Sequence, residues 1–370
     1  MKKTLLITYF FPPLIGGMEN YFFNLCGGLP ADRLVVLAQN YPEARAFDQK
    51  QKYPIYRAEF FSGRFRPRWR NLKNDIQAII SHEKIEQLAF GHFHPFNIIG
   101  VELPLPLVIF GHGTDITQIK KSWWQKFTFK KVYRRANRFI VNSNFLAQEI
   151  KSLVGNNSKV SVVYPGVDFT GLNEPISDLS QEKNKLGLQD SDLILLSLCR
   201  LEPEKNLGAV IRSLPMLLDK VSNLKYLIVG AGSQRAALEE MVVQLDLKNQ
   251  VRFIGAIENI SSAKRLYYQL AHLFIVPSLK PEGFGISYLE AQACRTPVIA
   301  SRFGGSAEAV LDGHTGILVD PASQTEMTAA IYKLISDKVL WEQMAAASQA
   351  RIKQEFNWLD KIEEVKKLLE

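Results

Sequence analysis

The stretch Pro281–Glu290, PEGFGISYLE, sets Glu282 and Glu290 eight residues apart with Gly283, Gly285 and Ser287 between them, directly after the apolar run LFIVPS. A loop that leaves a strand and enters a helix turns free backbone N–H groups outward, with the positive end of the helix dipole behind them, and so offers a seat for an anion. Residues Gly283 to Ser287 are read in that way. Glu282 lies on the loop beside the seat. Glu290, along the helix, is placed to reach the hydroxyls of a neighbouring sugar ring. The arrangement suits a ligand with phosphate in the middle and a sugar at each end. Glu290 stands within apolar SYLEAQA, where an unpaired charge is costly, so the two glutamates are read as a functional pair.

Other strand ends carry matching chemistry. After LILLSL comes Cys199-Arg200-Leu201-Glu202-Pro203-Glu204-Lys205-Asn206, where Arg200 as a fork and Lys205 as a point charge can clamp a diphosphate. After the first strand, Gly16 and Gly17 precede a helical pattern and allow an anion close to its first amides. The run Gly230-Ala231-Gly232-Ser233 begins like a dinucleotide fingerprint but lacks the third glycine, and it is read as structural. His112, flanked by Gly111 and Gly113 after PLVIF, is read as a reachable imidazole that hydrogen-bonds a hydroxyl or stabilises charge. His92 and His94 could join it on a metal, but no carboxylate or cysteine completes a ligand spacing, and no metal is expected.

These residues need elements to position them. Short apolar runs (TLLITYF, RLVVLA, QLAFG, PLVIF, RFIVN, VSVVY, then LILLSL, KYLIVG, VRFIG, LFIVPS, TPVIAS) alternate with helix-like segments. Continuous apolar strands between helices indicate parallel sheets covered on both faces. At 370 residues the chain is too long for one core. Two Rossmann-like, doubly wound α/β domains are therefore expected, 1–168 with a returning C-terminal helix at 356–370, and 169–355. The join falls after Tyr164–Asp168, where GLNEPISDLSQEKNKLGLQDSD is polar and reads as a linker. Ligands of open α/β sheets bind beyond the carboxyl ends of the strands, so the site is expected in a cleft between two facing sheets. The opening MKKTLLITYFFPPLIGG imitates a signal peptide, but Pro12-Pro13 cut it short and no small-residue cleavage site follows, so it reads as a buried strand. No run approaches the roughly 18 apolar residues of a membrane span. Three widely spaced cysteines fit a cytoplasmic protein with reduced thiols.

The net charge of +8 is concentrated: residues 120–138 hold eight basic residues and 64–73 hold five, with no acid in either, so the remainder is net negative. Read as a helix over 121–140, the first segment gathers Phe129, Val132, Tyr133, Ala136 and Ile140 on one face. The opposite face mixes Trp123, Trp124 and Phe127 with Lys120, Lys130, Lys131, Arg134, Arg135 and Arg138. Aromatics among cations on a solvent face predict an interfacial helix on anionic lipid, which Arg64–Arg70 with Phe65 and Trp69 would extend. The alternative is a solvated helix whose tryptophans pack on a neighbouring loop. Nucleic acid is not an expected partner, because charge alone does not specify it.

Taken together, FGHGTD, VNSNF, VVYPGVD, RLEPEKN, LIVGAG, VRFIG, EGFGISYLE and FGGSAEAVLDGHTGILV resemble glycosyltransferase family 4, the retaining, glycogen-synthase-like group 1 transferases of the GT-B fold, over nearly the whole chain. The specific part is E-x7-E combined with R-x4-K. The resemblance implies a role for each position. Gly16 and Gly17 would lie against the donor diphosphate, Arg200 and Lys205 on its phosphates, and the amides of Gly283, Phe284, Gly285 and Ile286 on sugar and phosphates. Glu290 would hold the ribose, Glu282 the transferred sugar, Ile257 the base through its backbone, and His112 would face the sugar near the reaction centre. It further implies transfer of a hexose with retained anomeric configuration from a nucleoside-diphosphate sugar, UDP-glucose by prevalence in the family, with no metal or other cofactor. Cations and helix amides would stabilise the leaving diphosphate, and the domains would close over the donor by a hinge. The expected acceptor is a saccharide or lipid-linked saccharide in polysaccharide or glycoconjugate synthesis, met by a cytoplasmic enzyme at the inner face of the membrane. A sugar-nucleotide epimerase of the same architecture and a non-catalytic sugar-nucleotide sensor are the rivals. The paired R-x4-K and E-x7-E stand against the first, and the presence of both His112 and Glu282 stands against the second.

Overall fold

The computed structural model describes residues 1–14, 16–62, 66–67, 69–156, 158–258 and 260–370. The chain divides into two compact units, Met1–Gly166 with Trp358–Glu370, and Val167–Asn357.

The first unit is built on β1 (Thr4–Thr8), β2 (Leu34–Gln39) and β3 (Ile55–Ala58), followed by a short antiparallel pair, β4 (Phe61–Ser62) with β5 (Arg66–Pro67). Then come β6 (Gln87–Phe90), β7 (Leu107–Gly111), β8 (Arg138–Val141) and β9 (Val160–Val162). Seven of these form a parallel sheet in the order β3-β2-β1-β6-β7-β8-β9. Strand β1 is buried along its whole length and paired on both edges, with Thr4 opposite Leu34 and Gln87, as a strand with no solvent face requires. Its odd residues Leu5 and Ile7 join one apolar layer with Phe90, Ile109 and Phe129. Leu6 faces the other layer with Phe22, Leu25, Cys26, Ile362 and Val365. The last two belong to the helix Trp358–Leu368, which closes this face of the first unit from the far end of the chain.

The second unit holds β10 (Leu193–Leu198), β11 (Leu224–Val229), β12 (Val251–Gly255), β13 (Leu273–Val276), β14 (Val298–Ser301) and β15 (Gly316–Val319). They form a parallel sheet in the order β12-β11-β10-β13-β14-β15. Both sheets are thus doubly wound, as the apolar runs predicted. Their strand order reverses between β1 and β6 in one and between β10 and β13 in the other, which makes those strand ends the switch points where ligands bind.

Three sequence expectations change. The polar segment after residue 170 is no open linker. It carries the helices Phe169–Asn173 and Leu179–Lys185 inside the second unit, with Leu172 and Leu188 buried and Asn173 donating to the Ala293 carbonyl at 3.0 Å. The helix expected over 121–140 spans Trp123–Arg135. Ala136 turns extended as its cap, Ile140 sits in β8, and Arg138 on that strand bonds Ser161 at 3.0 Å. Strands β3 (IYRA) and β15 (GILV) went unread because Arg57 interrupts the first run and the second has only three apolar residues after a glycine. Among the described residues no helix is long and apolar enough to cross a membrane.

Candidate active site

At the switch point of the second sheet, β10 ends at Leu198 and the chain passes through a short 3-10 turn, Pro203–Lys205, into the helix Leu207–Leu218. The turn closes on Asn206, which takes a left-handed conformation (φ 58°) and anchors it by donating to the Pro321 carbonyl at 2.8 Å. The Leu279 amide bonds the Glu204 carbonyl at 2.8 Å and ties this turn to the loop after β13. Across that junction Lys205 Nζ meets Glu282 Oε1 at 2.8 Å, and Ser278 Oγ also donates to Glu282. Burial opposes the charge on Glu282, but Lys205, its hydrogen bond and that of Ser278 outweigh it, so the carboxyl lies below its ordinary range. Burial likewise opposes the charge on Lys205 and is outweighed by Glu282, so the ammonium is held more firmly than usual. Arg200 stands apart, its side chain 73% exposed and 3.8 Å from Glu204. The structure therefore joins Lys205 and Glu282 directly and leaves Arg200 exposed beside Glu204.

The loop then enters the helix Ile286–Ala293 through Gly285. Gly285 has φ +98°, and a Cβ there would run into the Tyr288 ring. Tyr288 is fully buried and locked by its hydroxyl, which donates to the Val276 carbonyl at 2.8 Å. Beneath the loop lies the glycine pair of FGGSAEAV, Gly304 and Gly305. Gly304 has φ +70°, and side chains on Gly304 and Gly305 would strike Pro281 and the Gly283 backbone. The Gly305 amide bonds the Glu282 carbonyl at 2.9 Å, which fixes the height of the loop. Phe284 is buried with its ring 5.9 Å from Phe356. Gly283, Gly285, Ile286 and Ser287 are partly exposed at the start of the helix, whose first amides have no intrahelical acceptor.

Glu290, one turn further, is only 7% exposed. Lys264 ion-pairs with one oxygen and the Tyr268 hydroxyl donates to the other at 2.8 Å. A carboxylate accepts through about four lone-pair sites, so this grip orients Glu290 without exhausting it. Lys264 and Tyr268 were missed because, on an amphipathic helix, a lone lysine reads as solvent-facing. Ile257 lies half-buried two residues beyond β12, an edge strand away from the β10/β13 switch point. In the GAGS run, side chains at Gly230 and Gly232 would meet the backbone of Cys199 and Leu201, so those glycines serve close packing of the β11 loop on the β10 loop.

In the first unit Gly16 and Gly17 open the helix Gly17–Gly28. A Cβ on Gly17 would meet nothing within 4 Å, but one on Gly16 would overlap the carboxylate of the mostly buried Glu19. An anion at Gly16 would face that like charge, so the open side of the pair is Gly17. His112 follows β7, and its amide and that of Gly113 both bond Asp115 Oδ1, at 3.0 and 2.7 Å. Its ring sits on a residue that stays partly exposed. It packs edge-on against Tyr21 (4.8 Å) and Phe22 (5.2 Å), one turn beyond Gly17. Burial lowers its pKa against the pull of Asp115 and the Gly91 carbonyl, which keeps the imidazole neutral at pH 7. Its Nε2 is enclosed without a hydrogen-bond partner among the described residues. Burial, with His94 and His112 nearby, holds His92 down to about 3, and burial holds His94 at about 4. Among the described residues no group of three or more His, Cys, Asp or Glu gathers as a metal would need.

On the helix Trp123–Arg135, Trp123, Trp124 and Phe127 are exposed (80, 42 and 65%), as are Lys130, Lys131 and Arg134. Lys120 is engaged by Glu149 at 2.9 Å, and Arg135 donates to the carbonyls of Leu103 and Leu105, both at 2.8 Å, so those two leave the expected patch. Of the Arg64–Arg70 stretch expected to extend it, Arg64, Phe65 and Arg68, and the side chains of Arg66, Trp69 and Arg70, lie outside the described residues.

Each sheet thus carries a glycine-opened helix at its switch point, and the second adds the Lys205–Glu282 pair. Residues 15–170 match the family described as Glycosyltransferase Family 4, and residues 178–354 match Glycosyl transferases group 1. The chain belongs to the group 1 glycosyltransferases, a family of enzymes that use nucleotide sugars. It is 27% identical to the GDP-mannose-dependent monoacylated alpha-(1-6)-phosphatidylinositol monomannoside mannosyltransferase of Corynebacterium glutamicum, over 96% of this chain and 95% of that one. It is 29% identical to the GDP-mannose-dependent alpha-(1-6)-phosphatidylinositol monomannoside mannosyltransferase of Mycolicibacterium smegmatis, over 90% and 89%. Among solved structures, Anabaena HepE in complex with UDP and glucose superposes with a TM-score of 0.84 at 21% identity, over 99% of both chains, and the fold is GT-B.

Proposed function

We propose that this chain is a retaining, metal-independent hexosyltransferase that moves a sugar from a nucleoside diphosphate to a saccharide or lipid-linked saccharide. The observation that carries this reading is the Lys205–Glu282 pair set before the helix Ile286–Ala293 at a switch point of the sheet. Lys205, Arg200 and the amides of Gly283, Phe284, Gly285 and Ile286 would take the diphosphate, where negative charge develops as the bond breaks. Glu282 would orient the hexose, Glu290 the ribose and Ile257 the base, with Gly17 at the diphosphate and His112 near the sugar. The departing phosphate would take the acceptor's proton on the same face, so no second carboxylate pair at glycosidase spacing is required. Prevalence in the family favours UDP-glucose. Both full-length relatives are named GDP-mannose-dependent, and this supports placing GDP-mannose first. The acceptor would be met by a cytoplasmic enzyme working at the inner membrane surface.

The test is nucleotide release from a panel of UDP-, GDP- and ADP-sugars in EDTA, comparing wild type with Glu282→Ala of verified fold. Slow release from one donor, cut by about a hundredfold or more in the variant, is expected. Accumulation of an epimerised sugar nucleotide, or no release from any donor with or without acceptor, would overturn the reading.

A further inference from the structure

The helix Trp123–Arg135 is held to the first unit by one face and offers the other to solvent. Thr128, Phe129, Val132 and Tyr133 are buried, and Phe129 meets Phe93 edge-on at 4.8 Å. At its C-terminal end Lys159 Nζ donates to the carbonyls of Arg134 (2.8 Å) and Ala136 (2.7 Å), satisfying groups the helix leaves open. Anchored in this way, the helix cannot roll to hide its outer row. That row runs Trp123, Phe127, Lys130, Arg134 at spacings of four, three and four, with Lys126 and Lys131 beside it. Among the described residues no carboxylate pairs with Lys126, Lys130, Lys131 or Arg134. Glu102, which feels the charge of Lys131, is taken by Lys73 at 2.6 Å.

Two large aromatics at 80 and 65% exposure, ringed by unpaired cations on a fixed helix, fit a surface that is apolar below and anionic above. We infer that this helix is a membrane-docking element that lies in the headgroup layer of an anionic bilayer. The aromatics stand in its first turns and the cations toward its end, so the Trp123 end dips toward the acyl chains while Lys130, Lys131 and Arg134 stay among lipid phosphates. The inference rests on the transferase reading only in saying what the membrane supplies, an acceptor held at its surface.

The experiment is co-sedimentation with phosphatidylcholine vesicles, with and without a third of phosphatidylglycerol. Wild type should bind only the anionic vesicles and leave them in high salt. Trp123→Ala/Phe127→Ala and Lys130→Gln/Lys131→Gln should each lower partitioning about tenfold or more. Trp123→Phe should keep the binding but lose the blue shift of tryptophan emission. Absence of binding to anionic vesicles at low salt, variants that partition as wild type does, or binding of single-stranded RNA in place of vesicles through the same residues would overturn it. Nucleotide release measured without vesicles should be unchanged in all three variants. If wild type releases no nucleotide yet docks on vesicles with this residue dependence, the transferase reading fails and the docking surface stands.

Discussion

Glu282 holds its charge where burial disfavours it, and it does so because Lys205 and Ser278 make the ionised form the better-bonded one. A carboxyl depressed below its ordinary 4.5 contributes stability above that value and loses it as pH falls through the depressed one. A lysine raised above 10.5 contributes below that value and loses it as pH rises past the raised one. The pair is therefore at full strength from about pH 5 to about pH 10. Glu282→Gln leaves Lys205 largely enclosed and uncompensated, and should cost about 1–3 kcal/mol at neutral pH. Urea unfolding at a series of pH values should show that gap constant around neutrality and shrinking as pH falls below about 4.5, where the unfolded carboxyl takes up its proton first, until the native one is protonated at its depressed value. A gap that persists unchanged to pH 3 would show that the charge pair is not its origin. The residues that bear charge at the strand ends were readable from type and position alone. Their partners were not, because Lys205 and Glu282 are 77 residues apart and Lys264 and Glu290 are 26 apart, and no local pattern marks which acid a lysine will find.

The helix Ile286–Ala293 is placed by its entry rather than by a side-chain cap, since Gly285 supplies none. Its left-handed φ and the Tyr288 ring behind it leave no room for a Cβ. Gly285→Ala should therefore lower stability by about 1–3 kcal/mol and tilt the first amides of the helix. The expected signature is a raised KM for the donor as well as a lowered Tm, and an unchanged KM at lowered Tm would remove this helix entry from the donor site. At this scale the interior strands were legible, because a strand covered on both faces can only be apolar throughout. Edge strand β3 was not, since its Arg57 salt-bridges Asp48 at 2.6 Å and breaks the run. The over-long basic helix failed for a similar reason. Its apolar spacing continues past Arg135, but Ala136 caps the helix and Asn137 donates its amide to Leu107 of the sheet.

Every residue proposed to hold the donor's base, ribose and sugar lies in the second unit, while Gly17 and His112 belong to the first. The two units are also finished differently. The second is continuous from Val167 to Asn357, whereas the first depends on the helix Trp358–Leu368, whose Ile362 and Val365 cover Leu25 and Cys26. A side chain on Gly28 would collide with Ile362, so this contact is close. In a Cys199→Ser/Cys294→Ser background, Cys26 is fully buried and should resist a thiol reagent, because burial pushes its pKa up. A chain stopped at Asn357 should expose it to fast reaction while the second unit keeps its protease resistance. Slow reaction in the shortened chain would mean the first unit closes without its last helix. That same dependence gives synthesis an inverted calendar. A ribosome makes the first unit's sheet before the second unit and its missing wall after it, so the unit begun first is the one completed last.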